Sequence, residues 1–407
     1  MKIGIVCQWY EPETGSGTVT TSIAHSFRRL GHSVRVLTGF PHYPTGKIHP
    51  NYADSVPKHE ILSGIDVRRT WEYPSHDDSM LKRGWTFASF ALSSAGKAPS
   101  ILGSADAVLL YSTPATIGLA GIVARLRHRL PMVLYIQDLW PETLTASGML
   151  PPWLSPLVVP PIRAFCHAVY NACDLICVTS PGMATALEKS GVPADKIRFV
   201  PNWTTEQYIY ELPQPANTDG LFHAMYAGNI GVPQNAMMLA DVALHLRDDP
   251  SIVIDIVGDG TERERLESRV RELGLDNVVF HGPKPIEEMA QTVSWSHCQL
   301  VMLRDDPLFE ITLPSKIQAS LAFGRPIAAS VSGDAAKILR ESGAALVTNP
   351  NDPAGLANSI RHLAHLSDPD LRSMGKQGRD FYDSHLSEKN GASALIDALQ
   401  YAIECQG

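Results

Sequence analysis

What most constrains this chain is an alternation of short apolar runs with amphipathic stretches that is spelled out once and then begins again. It opens with "KIGIVCQW", then "VTTSIAHSFRRLG", a helical pattern ended by Gly31, then "SVRVLTGF". A short apolar run suits a strand covered on both faces, and a 3.6-residue period suits a helix laid on it. Strand, helix and strand in that order spell a parallel sheet. Further strands are predicted at "ADAVLLYS" (105–112), "MVLYIQD" (132–138), "LICVTS" (175–180) and "IRFVPN" (197–202). "NWTTEQYIYELPQPANTDG" follows, polar and carrying the Pro and Gly of a linker. The grammar then restarts with "FHAMYAGNIG" and "SIVIDIVGDG" and runs on through "TERERLESRVRELG", "NVVFHG", "CQLVMLR", "PIAAS" and "AALVT". The fold class is α/β, two doubly wound units in tandem with a boundary near 203–220. The last segment, "LIDALQYAIECQ", is an apolar-periodic helix with no strand after it.

Composition narrows the function classes. The chain of 407 residues is 44% hydrophobic and 19% charged with net charge −8, enough to bury two cores. An acidic chain without basic runs is a poor partner for nucleic acid, whose affinity is built from clustered Lys and Arg. The six cysteines lie in apolar segments without CxxC spacing, so buried free thiols are expected rather than disulfides or zinc. The 15 histidines show no ligand spacing, and no metal or cofactor is expected. A start without signal-peptide architecture, and no apolar run long enough to span a bilayer, lead us to expect a cytoplasmic location.

In open parallel sheets ligands sit at the carboxyl ends of the strands, so the motifs that bear on function are those at strand ends. "EPETGSGTVT" (11–20) is a Gly loop between the first strand and helix. Gly15 and Gly17 admit a ligand to the backbone and the helix start that follows can receive an anion, or the loop is a mere turn. Thr20 stands where a third glycine would complete a dinucleotide fingerprint, which speaks against NAD. In "YIQDLWPE" (135–142), Asp138 at a strand end can take a proton from a hydroxyl or orient a sugar, or it caps the next turn; Trp140 and Glu142 follow it. "YAGNIGVPQN" (226–235) repeats the Gly-loop position in the second half, with Gly228 and Gly231 for backbone access and Asn229 and Gln234 as neutral hydrogen-bonders; Gly258 lies in the similar "VGDG" turn, whose Asp259 could instead cap a helix. "LPSKIQASLAFGRPIAAS" places a helix start at Ser315, so free N–H groups, the positive dipole end and the Lys316 charge converge on one spot, or Ser315 is an ordinary N-cap and Lys316 a solvated side chain. The Asp pairs 77–78, 248–249 and 305–306 are expected to be solvated, and Asp368 and Asp370 to cap a helix.

The order "CQWYEPETGSG", "GFPHYPTGKI", "LYIQDLWPE", "CDLICVTSPGM", "IRFVPNW", "YAGNIG", "IDIVGDG", "LPSKIQASLAFGRPI" resembles the retaining GT-B glycosyltransferases of family 4, in particular the branch that builds bacterial surface polysaccharides. That resemblance implies two Rossmann-like domains facing across a cleft: 1–205 on the acceptor side, joined by a C-terminal helix at about 390–407 crossing back, and 206–389 holding a nucleoside-diphosphate sugar. It implies no metal, with Leu313, Ser315 and Lys316 holding the departing phosphates, the Gly15–Gly17 loop approaching the donor phosphate, and Lys284 of "HGPKP" near the base. Asp138 would stand by the sugar as a base, where many relatives have histidine, and Trp140 and Glu142 would lie on the acceptor side.

Two departures stand out. Ala319 occupies the position of the usual ribose-binding glutamate and Ile311 that of its partner, leaving Glu310 one residue out of register. Asn229 and Gln234 replace the usual Arg and Lys, which raises the weight on Lys316. The expected activity is transfer of a hexose-type sugar with retention of configuration; a GT-B-type sugar-nucleotide epimerase or a catalytically silent nucleotide-sugar binder is the alternative. A saccharide, a lipid-linked saccharide or a small molecule could be the acceptor. The apolar stretch 147–169 would serve a peripheral membrane contact, an acceptor groove or a buried core helix.

Overall fold

The computed structural model describes the chain except residues 14, 44, 76–79, 147–149, 152, 210–211, 213–218 and 407. Asp77 and Asp78, and parts of the expected linker, of the Gly15 motif and of the stretch 147–169, thus lie outside the described residues. The chain forms two compact units, Met1–Pro201 with Gly391–Gly407, and Asn202–Asn390.

The first unit runs β1 (Lys2–Val6), α1 (Ser16–Arg29), β2 (Ser33–Thr38), β3 (His59–Leu62), β4 (Ile65–Arg69), α2 (Met80–Leu102), β5 (Ala107–Ser112), α3 (Gly118–His128), β6 (Met132–Ile136), α4 (Glu142–Ala146), α5 (Ser155–Ala172), β7 (Leu175–Val178), α6 (Pro181–Lys189) and β8 (Ile197–Phe199). Its sheet has the order β3-β4-β2-β1-β5-β6-β7-β8. Every residue of β5, β6 and β7 is buried, which is why these strands read as unbroken apolar runs rather than alternating ones. All neighbours pair in parallel except β3, which is antiparallel to β4. Sequence reading missed that hairpin; its signal is the Ser63–Gly64 turn between two short alternating stretches, with both residues at positive φ.

The second unit runs β9 (Phe222–Ala227), α7 (Met238–His245), β10 (Ile252–Val257), α8 (Arg263–Glu272), β11 (Val278–Gly282), α9 (Met289–Ser294), β12 (Cys298–Met302), α10 (Pro307–Glu310), α11 (Ser315–Phe323), β13 (Ile327–Ser330), α12 (Gly333–Glu341), β14 (Ala345–Thr348), α13 (Pro353–Ala364) and α14 (Asp368–His385), and is followed by α15 (Glu388–Glu404). Its sheet, β11-β10-β9-β12-β13-β14, is parallel throughout. Ala224, Ile254, Leu300 and Ala328 pack on α7, α8 and α13, while Val301, Ile327 and Ala329 pack on α11 and α12. The period-2 split of each strand thus feeds two helix layers. Each fully buried Leu or Ile here contributes about 1.5–3 kcal/mol.

In both sheets the chain reverses direction beside the first strand of the unit, between β1 and β5 and between β9 and β12. These are the switch points at which loops after the strands splay apart and leave room for a ligand. From Gly391 on, α15 belongs with the first unit, where Gln406 Nε2 donates to Asp174 (3.0 Å) and the Tyr401 ring lies 5.6 Å from Arg198. No helix among the described residues is long and apolar enough to cross a membrane.

Several small expectations need correcting. Asp249 is ion-paired to Arg361 (2.7 Å), and Asp306 caps α10 by accepting from Leu308 N while pairing with Arg304, so neither is merely solvated. Ser367, not Asp368 or Asp370, is the N-cap of α14; the two acids sit in its first turn, where the helix dipole favours them. The cysteines are all free, with five buried, but Cys405, just past the end of the last helix, is exposed.

Candidate active site

In the second unit β9 delivers Tyr226 and then a loop of positive-φ glycine, Gly228 (φ 129°), whose N–H donates to Val257 O (2.8 Å). A Cβ on Gly228 would lie 2.6 Å from Lys316 Cε, and one on Gly258 would lie 2.0 Å from Gly228 O. The glycines are therefore needed for packing as well as for ligand access: the loop after β10 lies directly on the loop after β9, and the Lys316 stem lies against Gly228. Lys316 Nζ ends 3.4 Å from the centroid of the Tyr226 ring and has no hydrogen-bond partner among the described residues. Burial pushes its pKa down to about 7. An amine held over an aromatic face, without a carboxylate, is a cation awaiting an anion.

Lys316 is the second residue of α11, whose N-cap is Pro314 with no side-chain capping bond. Ser315 is thus the exposed first helical residue rather than an N-cap, and the first-turn N–H groups carry the positive dipole end beside Lys316. Leu313 just before it is buried in the β12–β13 core. Of the other expected donor residues, Asn229 Nδ2 donates to Gln234 Oε1 (3.0 Å), and Gly231 packs against both side chains. Lys284 follows the edge strand β11 and is exposed, its Nζ 4.0 Å from Glu288. The Glu310 side chain is exposed at the end of α10, while its carbonyl abuts Gly333, where a Cβ would lie 1.8 Å away. Ala319 is half-buried against the cluster of Met225, Val257 and Phe323.

In the first unit Gly15 is the N-cap of α1, with φ 64°, and Gly17 is in its first turn. Asp138 lies two residues past β6; Thr113 Oγ1, after the neighbouring β5, donates to its Oδ2 at 3.4 Å. Burial pushes the Asp138 carboxyl above its ordinary value, and the Thr113 hydroxyl pulls the other way. Gly15, Thr113 and Asp138 therefore follow three adjacent strands, β1, β5 and β6. Glu142 opens α4, exposed, in an ion pair with Arg163 (3.2 Å).

Two features of this end went unread in the sequence. The first is Glu13, inside the Gly15 motif: its buried carboxylate accepts from the N–H of Tyr10 (3.2 Å), His42 (2.8 Å) and Tyr43 (2.7 Å), tying the loop after β1 to the loop after β2. Burial pushes Glu13 up to about 7 against those three N–H groups. Buried Glu72 lies 3.5 Å from His42 Nδ1, and Gln8 Nε2 donates to it at 2.6 Å. The second is a row of half-buried rings: Tyr43 to Trp9 (5.7 Å between centroids), Trp9 to Phe87 (6.3 Å) and Phe87 to Trp140 (5.8 Å). Only Trp140 stood out in the sequence, because the others come from distant segments.

Set against known proteins, residues 14–203 match the family model "Glycosyl transferase 4-like domain" and residues 222–365 match "Glycosyl transferases group 1". The chain is a family 4 glycosyltransferase. Over 343 residues this glycosyltransferase is 28% identical to a protein of Escherichia coli (strain K12) assigned to colanic acid biosynthesis as the glycosyl transferase WcaI, covering 80% of this chain and 82% of that one. Among solved structures it resembles sucrose-phosphate synthase from Thermosynechococcus elongatus, with TM-score 0.77, 17% identity and 99% of each chain covered. Anabaena HepE in complex with UDP aligns with TM-score 0.72 and 16% identity, over 98% of this chain and all of that one. These likenesses establish the GT-B fold.

Proposed function

We propose that this glycosyltransferase moves a hexose-type sugar from a nucleoside diphosphate to an acceptor with retention of anomeric configuration and without a metal, in the assembly of a polysaccharide or glycoconjugate. One observation carries the donor reading: Lys316 Nζ, over Tyr226 and without a hydrogen-bond partner among the described residues, stands at the open N-terminus of α11 beside a Gly loop. A diphosphate is the anion that a helix start and a point charge together favour. UDP is the first nucleotide to test, because HepE is solved with UDP and with UDP-glucose.

As the anomeric carbon–oxygen bond breaks, negative charge grows on the departing phosphate, where Lys316 and the α11 amides offset it better than in the ground state. The acceptor hydroxyl oxygen bonds to the anomeric carbon on the face the diphosphate leaves. Its proton goes to Asp138, whose burial makes the carboxylate a stronger base than an exposed one. Incubating full-length protein with UDP-glucose and a panel of other nucleotide sugars tests this. Release of the diphosphate with a product of the donor's anomeric configuration is expected, in EDTA as well as without it. A new sugar nucleotide would instead mark an epimerase. Binding without release would mark a silent binder, the reading favoured by Ala319 packing where a ribose carboxylate is usual. Asp138→Asn is expected to lower kcat by about 100-fold or more, and full turnover in that variant removes Asp138 as the base.

A peripheral membrane contact, which would suit a lipid-linked acceptor, has its own support. Helices α2, α3 and α5 carry Lys82, Arg83, Lys97, Arg125, Arg127 and Arg163 and no Asp or Glu, in a chain of net −8. Trp85 (53%), Leu126 (81%) and Leu157 (72%) are exposed on the same three helices, on which Arg125 pairs with Asp174 and Arg163 with Glu142. The first half of α5 is accordingly not the buried core helix that 147–169 could have been; only Cys166, Val169 and Tyr170 of it are buried. Anionic vesicles should co-sediment the protein in low salt and release it in high salt.

A further inference from the structure

We propose that Tyr43, Trp9, Phe87 and Trp140 form one platform for the sugar rings of the acceptor, so that the acceptor is a saccharide of more than one residue rather than a simple alcohol. The inference rests on the transferase reading above and adds the chemistry of the acceptor to it.

The four rings come from the loops after β2, β1 and β6 and from α2, and they form a continuous file with centroid spacings of 5.7, 6.3 and 5.8 Å. The file has direction. At one end Tyr43 touches the Gly15 loop, where a Cβ on Gly15 would lie 3.0 Å from its ring. At the other end Trp140 stands two residues from Asp138. It therefore joins the loop expected at the donor phosphate to the carboxylate expected to take the proton, which is the path an acceptor must lie along.

Three further observations favour a ligand over plain packing. Each of the four residues is half-buried, so the file is not sealed into the core. Trp9 Nε1–H is buried with no hydrogen-bond partner among the described residues, and an orphaned indole N–H is a donor without its acceptor. The near end is also held rigid: Glu13 accepts from Tyr43 N at 2.7 Å and from His42 N at 2.8 Å, fixing the backbone that carries Tyr43. Sugars suit such a surface because a pyranose offers an apolar C–H face to a ring and hydroxyl oxygens to an N–H, whereas an alkyl chain has no use for the indole donor. A file longer than one ring matches an oligosaccharide better than a monosaccharide.

The test uses saturation-transfer NMR on the full chain with lactose, cellobiose and maltose as probes and n-hexanol as the apolar control. Saturation of ring C–H protons of at least one disaccharide is expected, with none for hexanol. Trp140→Leu and Phe87→Leu keep apolar volume without a π face, and each should weaken the disaccharide about tenfold. Trp140→Tyr and Phe87→Tyr should retain it, which separates loss of the face from loss of folding. Unchanged binding in folded Leu variants, displacement of the sugars by hexanol, or no disaccharide bound to the wild type each overturns the proposal. Thermal stabilisation by UDP-glucose and other nucleotide sugars is read on the same protein. A shift without saccharide binding removes the platform and leaves the donor reading; saccharide binding without any shift does the reverse.

Discussion

Lys316 shows how a single side chain is set by its neighbours. Its pKa is lowered to about 7 by burial, so the folded chain holds this amine neutral more readily than the unfolded chain does. The destabilising cost of the charged amine is then fully present below about pH 7 and disappears as pH rises toward the unfolded value of 10.5. A bound diphosphate reverses the preference, so donor binding should take up a proton and weaken as pH rises above about 7, measurable by titration calorimetry in buffers of different ionisation enthalpy. Lys316→Ala should lower kcat/KM by about 100-fold or more, and Lys316→Arg should not restore it, because Cε already lies 2.6 Å from where a Gly228 Cβ would be. Sequence reading found this lysine from its place after "LP" at a helix start. It could not find Tyr226 beneath it, because that contact spans 90 residues and two elements. Glu13 was overlooked for a related reason: beside Gly15 it looks like a solvated loop acid, and only the fold brings the His42 and Tyr43 amides to it. Glu13→Ala would strand three buried N–H groups and should cost about 3 kcal/mol or more in chemical denaturation.

At the scale of elements, β9, β10 and β11 carry a buried network with no place in the chemistry. Asp255, 1% exposed, accepts from His223 Nδ1 and His281 Nε2, both at 2.7 Å, and the His297 ring stacks on His223. His223 stands at the opening of β9, the opposite end of the strand from Gly228, so the network ties strands together rather than serving the donor loop. The hydrogen bond to Asp255 raises the His223 pKa above its ordinary 6.5. That contribution is fully present below pH 6.5 and is lost as pH rises through the higher folded value; His297, lowered by burial, works the other way. Asp255→Asn should therefore cost about 3 kcal/mol at acid pH and progressively less toward pH 8, read as the difference in Tm between variant and wild type. The strands of this network were legible from their apolar runs. Their histidines were not, since a His on a strand face gives no sign of what lies opposite.

At the scale of the molecule, two units with separate cores should unfold in separable calorimetric steps, with a nucleotide sugar moving the step of the second unit. The clearest test of chain connectivity is α15. From Gly391 it buries Leu395, Ile396, Leu399 and Ala402 in the first unit although it follows the second in sequence. Deleting 391–407 should therefore lower the transition of the first unit by several kcal/mol, on the order of 1.5–3 kcal/mol per large side chain, and leave that of the second nearly in place. The sequence alone determined the α/β grammar, the repetition of that grammar and the helix starts, because hydrophobic period, glycine stops and proline entries act over a few residues. Tertiary structure decided which Gly loop rests on which, what lies beneath Lys316, what Glu13 holds and which rings line up. Those depend on contacts between segments tens to hundreds of residues apart, and a local pattern carries no record of its distant partner.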